Sequence, residues 1–311
     1  VTVSSALHGK TKHKDQTVFF LPLFDDNPTG RVPIVTWILI AICIAVFLFQ
    51  LGLDDRGERI FIFSYGAIPA LITGSELRPP ALAGLPDYAT MVTSVFLHGG
   101  ILHLGGNMLY LWIFGDNVED SMGPVKFIIF YLTCGIAATM AHVAIAPESV
   151  TPLVGASGAI AGVLAAYLML YPHAHVRVLV IILIFIRFAS FPALAVLAAW
   201  LIIQFLSAPS AFSNSDDGGV AYFAHLGGFA AGLILTPIFK RRDQKIFPAK
   251  QETESQNTPK PSINIMTRHQ IKNEFVDRYR HRKNQPKPPP SRRDLPEVKK
   301  ASRPKGPWDK S

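Results

Sequence analysis

Residues 32–51, VPIVTWILIAICIAVFLFQL, run for twenty positions without a charged side chain. At 1.5 Å per residue such a helix is about 30 Å long, the thickness of a bilayer's hydrocarbon core. A second long apolar run covers 125–146. The chain is 49% hydrophobic, and that content is gathered into such runs. A soluble fold would have to bury these helices on every side, and 311 residues supply too little interior for that. The pattern points to an all-α polytopic membrane protein. The residues before the first run are polar and include Asp25 and Asp26, so the run reads as a retained anchor and not as a cleavable signal. Cys43 and Cys134 sit inside apolar segments and read as small packing residues, not as a disulfide framework.

The net charge of +8 invites a nucleic-acid reading, but its distribution opposes one. Residues 240–311 hold 20 Lys/Arg and 8 Asp/Glu, a net of +12, which leaves −4 for everything else. The excess belongs to one tail. Apolar segments are expected at about 32–51, 101–115, 124–146, 155–171, 192–208 and 220–238. Basic residues favour the cytoplasmic side. Lys10, Lys12, Lys14 and Arg31 precede the first segment, and the basic tail follows the last. Both ends inside requires an even number of crossings, and six fits. Loops 52–90, 147–153 and 209–219 then face outward; together they carry eight acidic and three basic residues. The run 178–188, VLVIILIFIRF, leaves two readings open: a short interfacial or buried connection, or a seventh crossing. Charge favours six. The expected organisation is a cytoplasmic segment 1–31, a membrane domain 32–239 and a basic, largely disordered cytoplasmic tail 240–311, with a helical stretch possible near 262–283. The loop 52–90 is studded with apolar side chains (Phe61, Ile62, Phe63, Leu77) and is expected to pack at the membrane interface.

Six crossings place Ser157 and His225 at similar depth, each near the outer start of its segment. Ser157 lies in GASGAIAG. Small residues let membrane helices approach closely, which accounts for part of that pattern. Glycines beside a serine also expose its hydroxyl and let backbone N–H groups face a developing oxyanion. His225 lies in AYFAHLGGFAAG, and a histidine within an apolar helix is a functional candidate by default. Gly228 and Gly232 form a G-x-x-x-G face suited to pack on Gly158 and Gly162. That packing would bring His225 within hydrogen-bond reach of Ser157, with no acid in either segment to complete a triad. The minimum arrangement is a dyad in which histidine takes the serine proton and later protonates the leaving amine. His103 and Asn107, four residues apart, share a helix face and are suited to hold an oxyanion; they are equally able to bind each other or a water. His98 precedes them near the outer surface, placed to position the segment or a water. Zinc held by His98, His103 and His225 is a rival on residue types, but no fourth ligand is conspicuous.

Taken together, these residues resemble the rhomboid family of intramembrane serine proteases, over roughly 85–238. The marks occur in the family's order: H-x-x-x-x-H-x-x-x-N at His98, His103 and Asn107; FGDNVED at 114–120; G-x-S-G at Gly155–Gly158; and A-H-x-x-G at Ala224–Gly228 with Gly232. The resemblance implies a rhomboid-like six-transmembrane-helix bundle with a water-filled cavity open to the outer side. It implies Ser157 as nucleophile and His225 as general base, then acid. The oxyanion would be held by the Ser157 N–H, His103 and Asn107, with His98, Gly155, Gly158, Gly228 and Gly232 in support. It implies no cofactor and no metal. Its partners would be single-pass or other transmembrane protein substrates and membrane lipids, not nucleic acid. The segment 192–208 resembles the family's lateral gate, with 209–219 as a flexible cap. Two features depart from some members: 52–90 has no Trp-Arg pair, and Ala161 stands where a tyrosine supports the histidine ring. The other functions weighed are a non-catalytic rhomboid-like binding or quality-control factor, and a transporter or metal-dependent membrane enzyme. Compact loops favour a bacterial plasma membrane.

Overall fold

The computed structural model describes residues 18–82, 84–182, 185–207 and 221–249. The expected cap at 209–219 and the tail beyond 250 lie outside the described residues. The first element is a strand, β1 (Val18–Asp25), followed by helix α1 (Ile34–Leu51). One stripe of α1, made by Thr36, Leu39, Cys43, Phe47 and Gln50, is buried. Ile38, Ile42, Leu48 and Phe49 on its other faces are exposed. An apolar helix with apolar residues left outward is the surface a bilayer covers.

The loop 52–90 is an ordered structure, as expected from its apolar content. It contains α2 (Asp55–Tyr65), α3 (Pro69–Thr73) and short 3-10 turns, and it ends in α4 (Thr90–Thr93). Asp54 caps α2 by accepting from the Gly57 N–H at 2.9 Å. Phe61 stacks between Phe49 of α1 and Tyr65. Arg78 binds Asp87 and reaches the carbonyls of Ser64 and Leu82, closing the loop on itself.

Helices α5 (Ile101–Met122) and α6 (Pro124–Ile145) meet at a one-residue joint. Gly123 adopts φ +85°, and Pro124 opens the next helix where its missing N–H costs nothing. Then come α7 (Ser157–Leu170), a hairpin of β2 (His175–Ile182) and β3 (Phe185–Pro192), α8 (Ala193–Ser207) and α9 (Ala221–Phe239). The long helices alternate in direction. The start of α1 meets Glu119 near the end of α5, whereas the end of α1 meets His98 just before α5. Among the described residues, three helices are long and apolar enough to cross a membrane: Ile34–Leu51, Pro124–Ile145 and Tyr222–Phe239. Ser157–Leu170 and Ala193–Ile202 are apolar but shorter. The chain is a multi-pass membrane protein.

The fold is largely helical, but the all-α expectation omitted a three-stranded antiparallel sheet of order β1-β2-β3. The described parts of the run 178–188 are strands and not a crossing helix; the expected short connection takes the form of a hairpin with one face buried. Its alternation gives the reason: Val176, Val178 and Val180 are buried while Arg177 between them is exposed. A period of two suits a strand with one face on the core. The third strand comes from the head segment, pairing Leu21 with Leu179 and Phe24 with Arg177 around a bulge. Pro22, which cannot donate to a ladder, is tolerated because β1 is an edge.

The FGDNVED stretch ties this end together. Pro33 gives α1 no side-chain cap of its own. Glu119, 3% exposed, supplies one from α5: it accepts from Val35 N at 3.0 Å and from Thr36 N and Oγ1, each at 2.8 Å. A carboxylate at a helix N-terminus meets both unsatisfied donors and the positive end of the dipole. Asp25 accepts from Tyr167 of α7 at 2.5 Å and from Asn117 at 3.0 Å. Burial raises the Asp25 carboxyl from 3.8 to about 6, helped by the neighbouring Asp116 and Asp26 and opposed by the Tyr167 bond. The folded state thus keeps this proton to higher pH than the unfolded chain does. Docking of β1 is expected to weaken as pH rises from about 4 past about 6. Asp25→Asn, which retains an oxygen for Tyr167, should flatten that dependence. Amide exchange of β1 measures it, and identical pH profiles for parent and variant would reject the assignment.

Candidate active site

The site is built where α5, α7 and α9 begin. Ser157 is the first residue of α7, and the residue that turns the chain into it is Gly155 at φ +122°, a conformation L side chains rarely adopt. The Gly155 N–H donates to the Ser94 carbonyl at 2.9 Å, which pins the turn. A Cβ on Gly155 would stand 2.8 Å from His103 Cε1 and Nε2 and 3.6 Å from Asn107 Nδ2. Gly155 is therefore more than a shaping residue at a distance: its bare backbone is what lets His103 and Asn107 lie beside the serine.

His225 is on α9, one turn before Gly228. A Cβ on Gly228 would run into the Gly158 carbonyl, and one on Gly232 into the Gly162 carbonyl. Gly162 and Gly158 in turn abut Cys134 and Ala138 of α6, at 2.5 and 2.6 Å from a would-be Cβ. The G-x-x-x-G faces meet as the sequence led one to expect, main chain against main chain. At that spacing His225 Nε2 and Ser157 Oγ are 2.7 Å apart, a hydrogen bond.

Both residues line a cavity of about 300 Å³, with His103, Asn107, Tyr110 and Trp200 around them. The Asn107 side chain is buried, and its Nδ2 makes no hydrogen bond to the described protein. It is a donor available to a group entering the cavity. His98 was expected to help position this segment. It is fully buried behind His103, the two rings 5.3 Å apart and edge to face. Buried Gln50 holds its backbone in both directions, donating to the His98 carbonyl at 3.0 Å and accepting its N–H at 3.3 Å. His98 and Gln50 form the wall that His103 rests on.

Two contributors escaped sequence reasoning. Gln50 closes an apolar run, and its polar amide there was the only available signal. Trp200 of α8 lies against the His225 ring at 5.8 Å between centroids, and against Phe229 at 6.5 Å. Its place inside an apolar segment gave no cue. Ala161 is fully buried and carries no ring; Trp200 of α8 is an aromatic neighbour of the histidine. Among the described residues, no three His, Cys, Asp or Glu side chains are grouped to hold a metal ion. The zinc arrangement of His98, His103 and His225 is not formed.

Comparison with known proteins gives a match to the rhomboid domain over residues 86–242, half of the chain. Rhomboid protein 1, mitochondrial, of Saccharomyces cerevisiae is 34% identical over 163 residues, 48% of this chain and 42% of that protein. Rhomboid protease GluP of Bacillus subtilis is 31% identical over 137 residues, 44% of this chain and 24% of that protein. Presenilin-associated rhomboid-like protein, mitochondrial, of Bos taurus is 30% identical over 145 residues, 46% and 36% of the two chains. The matched stretch spans less than half the length of each of these relatives.

Proposed function

Because this chain belongs to the rhomboid family, we propose that it is an intramembrane serine endopeptidase working through Ser157 and His225. The observation that carries the reading is the 2.7 Å contact between Ser157 Oγ and His225 Nε2 at the wall of a cavity within the helices.

In this reading, His225 Nε2 accepts the Ser157 proton as Oγ attacks a peptide carbonyl. The carbonyl oxygen becomes an oxyanion facing the start of α7. The first N–H groups of a helix have no intrahelical acceptor, and the dipole there is positive, so the Ser157 N–H is placed to bind it. Asn107 Nδ2 and the His103 ring add donors from the side. His225 then gives its proton to the leaving amine. Water entering through the cavity attacks the acyl-serine with His225 as base, and the enzyme is restored. The cavity answers a physical requirement, since hydrolysis needs water and hydrocarbon excludes it.

Six crossings with both ends cytoplasmic put this site near the outer surface. The substrates are single-pass or other membrane proteins whose helix carries small or helix-destabilising residues near its outer end, because a helix must unwind to present a carbonyl to Ser157. Membrane lipids are the other partners, no cofactor is needed, and the location is a bacterial plasma membrane.

A serine-reactive fluorophosphonate tests the nucleophile without knowledge of the substrate. The parent protein in liposomes should be labelled on Ser157, Ser157→Ala should not be labelled, and His225→Ala should be labelled far more slowly. An unlabelled parent would instead favour a non-catalytic membrane factor that binds its clients without cutting them.

A further inference from the structure

Among the described residues, nothing covers one face of the sheet. Strand alternation puts Val176, Val178 and Val180 on the core and turns Arg177 and Leu179 of β2 to the opposite side. The register adds Phe24 of β1, opposite Arg177, and Phe188 of β3, opposite Leu179. Phe24 is 48% exposed and Phe188 67% exposed. The Arg177 guanidinium lies over the Phe24 ring at 5.5 Å. A sheet face carrying two open phenylalanines and an arginine is a poor surface for water.

We propose that this face is an interfacial membrane-binding element that rests on the anionic headgroups of the leaflet at its end of the bundle. Three observations select lipid as the occupant. The first is continuity: β3 runs straight into the apolar helix α8 at Pro192–Ala193, and Leu194, in its first turn, is 51% exposed. The sheet is thus held at the level where a membrane helix emerges. The second is the company it keeps. Trp37, in the first turn of α1 at this same end, is 47% exposed, and aromatic residues with basic neighbours mark the headgroup level of membrane proteins. The third is charge. The acids around the sheet are engaged within the protein: Asp26 pairs with His175, Asp120 with Arg31 and Arg241, and Glu119 caps α1. Among the described residues, exposed Arg177, the arginine on this face, has no acidic partner. Arginine stems can lie along apolar surface while the heads meet phosphate.

The test needs no enzymatic activity, so its failure is separate from failure of the protease reading. Cys43 and Cys134 are fully buried. Phe188→Cys in the full chain therefore gives one accessible thiol for an environment-sensitive dye. Asp243→Cys, whose side chain is 70% exposed, gives an aqueous control. Both are reconstituted in phosphatidylcholine vesicles, with and without phosphatidylglycerol, containing lipids brominated near the headgroup. At position 188, brominated lipid should quench strongly and dissolved iodide weakly, with the reverse at 243. Phosphatidylglycerol should strengthen quenching at 188, and Arg177→Glu should remove that increment, an arginine being worth roughly five-fold in partition to an anionic surface. Quenching at 188 by iodide but not by lipid would overturn the proposal. Quenching by neither would assign the face to a protein partner or a second copy and would overturn it as well. An unchanged response in Arg177→Glu would reject the anionic headgroup as the occupant.

Discussion

Ser157→Ala is expected to lower cleavage of a transmembrane substrate in proteoliposomes by about 10⁶-fold, and His225→Ala by a similar factor. The double variant should be no worse than either single one. A serine hydroxyl is a weak nucleophile at neutral pH, and the histidine's contribution passes entirely through it. Once either is gone, what remains is binding and oxyanion stabilisation by Asn107 and the start of α7, on the order of 10³-fold over water. The 2.7 Å contact makes the two residues one unit, and units of this kind are not additive. Single-turnover cleavage measures it. A Ser157→Ala protein that cuts at the parent's rate would end the protease reading, and additive losses would end the dyad.

Gly228→Ala is expected to destabilise the bundle by about 3 kcal/mol or more, although it adds one methyl group. That methyl would land on the Gly158 carbonyl, and a main-chain atom cannot rotate aside as a side chain can. The helices would have to part, which also pulls His225 from Ser157. Gly105→Ala on α5 is the control. Its Cβ would meet nothing within 4 Å, and alanine is the better helix former, so its stability should stay within about 1 kcal/mol of the parent or rise slightly. Thermal unfolding in micelles separates the two. Equal melting temperatures for both variants would show that the α7–α9 contact gives way easily.

The helices and the pairing of Ser157 with His225 were legible because both rest on local or repeating signals. An uncharged run announces a membrane helix, a four-residue glycine spacing announces a close face, and a histidine in apolar surroundings announces a task. The sheet was not legible. Its alternation in 176–180 is short, and β1 lies some 150 residues upstream, so neither strand predicts the other. The FGDNVED stretch was noted for its resemblance, but the cap that Glu119 places on α1 depends on which helix start lies beside it. Gln50 and Trp200 illustrate the same limit. Their roles come from what they touch across the fold, and residue type alone gives no hint of those contacts.

The approach of α9 to α7 has a consequence for how such a molecule can diverge. Where side chains interlock, every change of volume shifts the neighbouring helix, and a geometry of tenths of an ångström would be lost in a few substitutions. Here the gauge is two main chains, read at Gly158–Gly228 and again at Gly162–Gly232, and main chains do not mutate. The apolar residues elsewhere on both helices are released from setting the serine–histidine distance and need only remain apolar. A handful of glycines can hold Ser157 and His225 in place while the apolar sequence around them is free to drift.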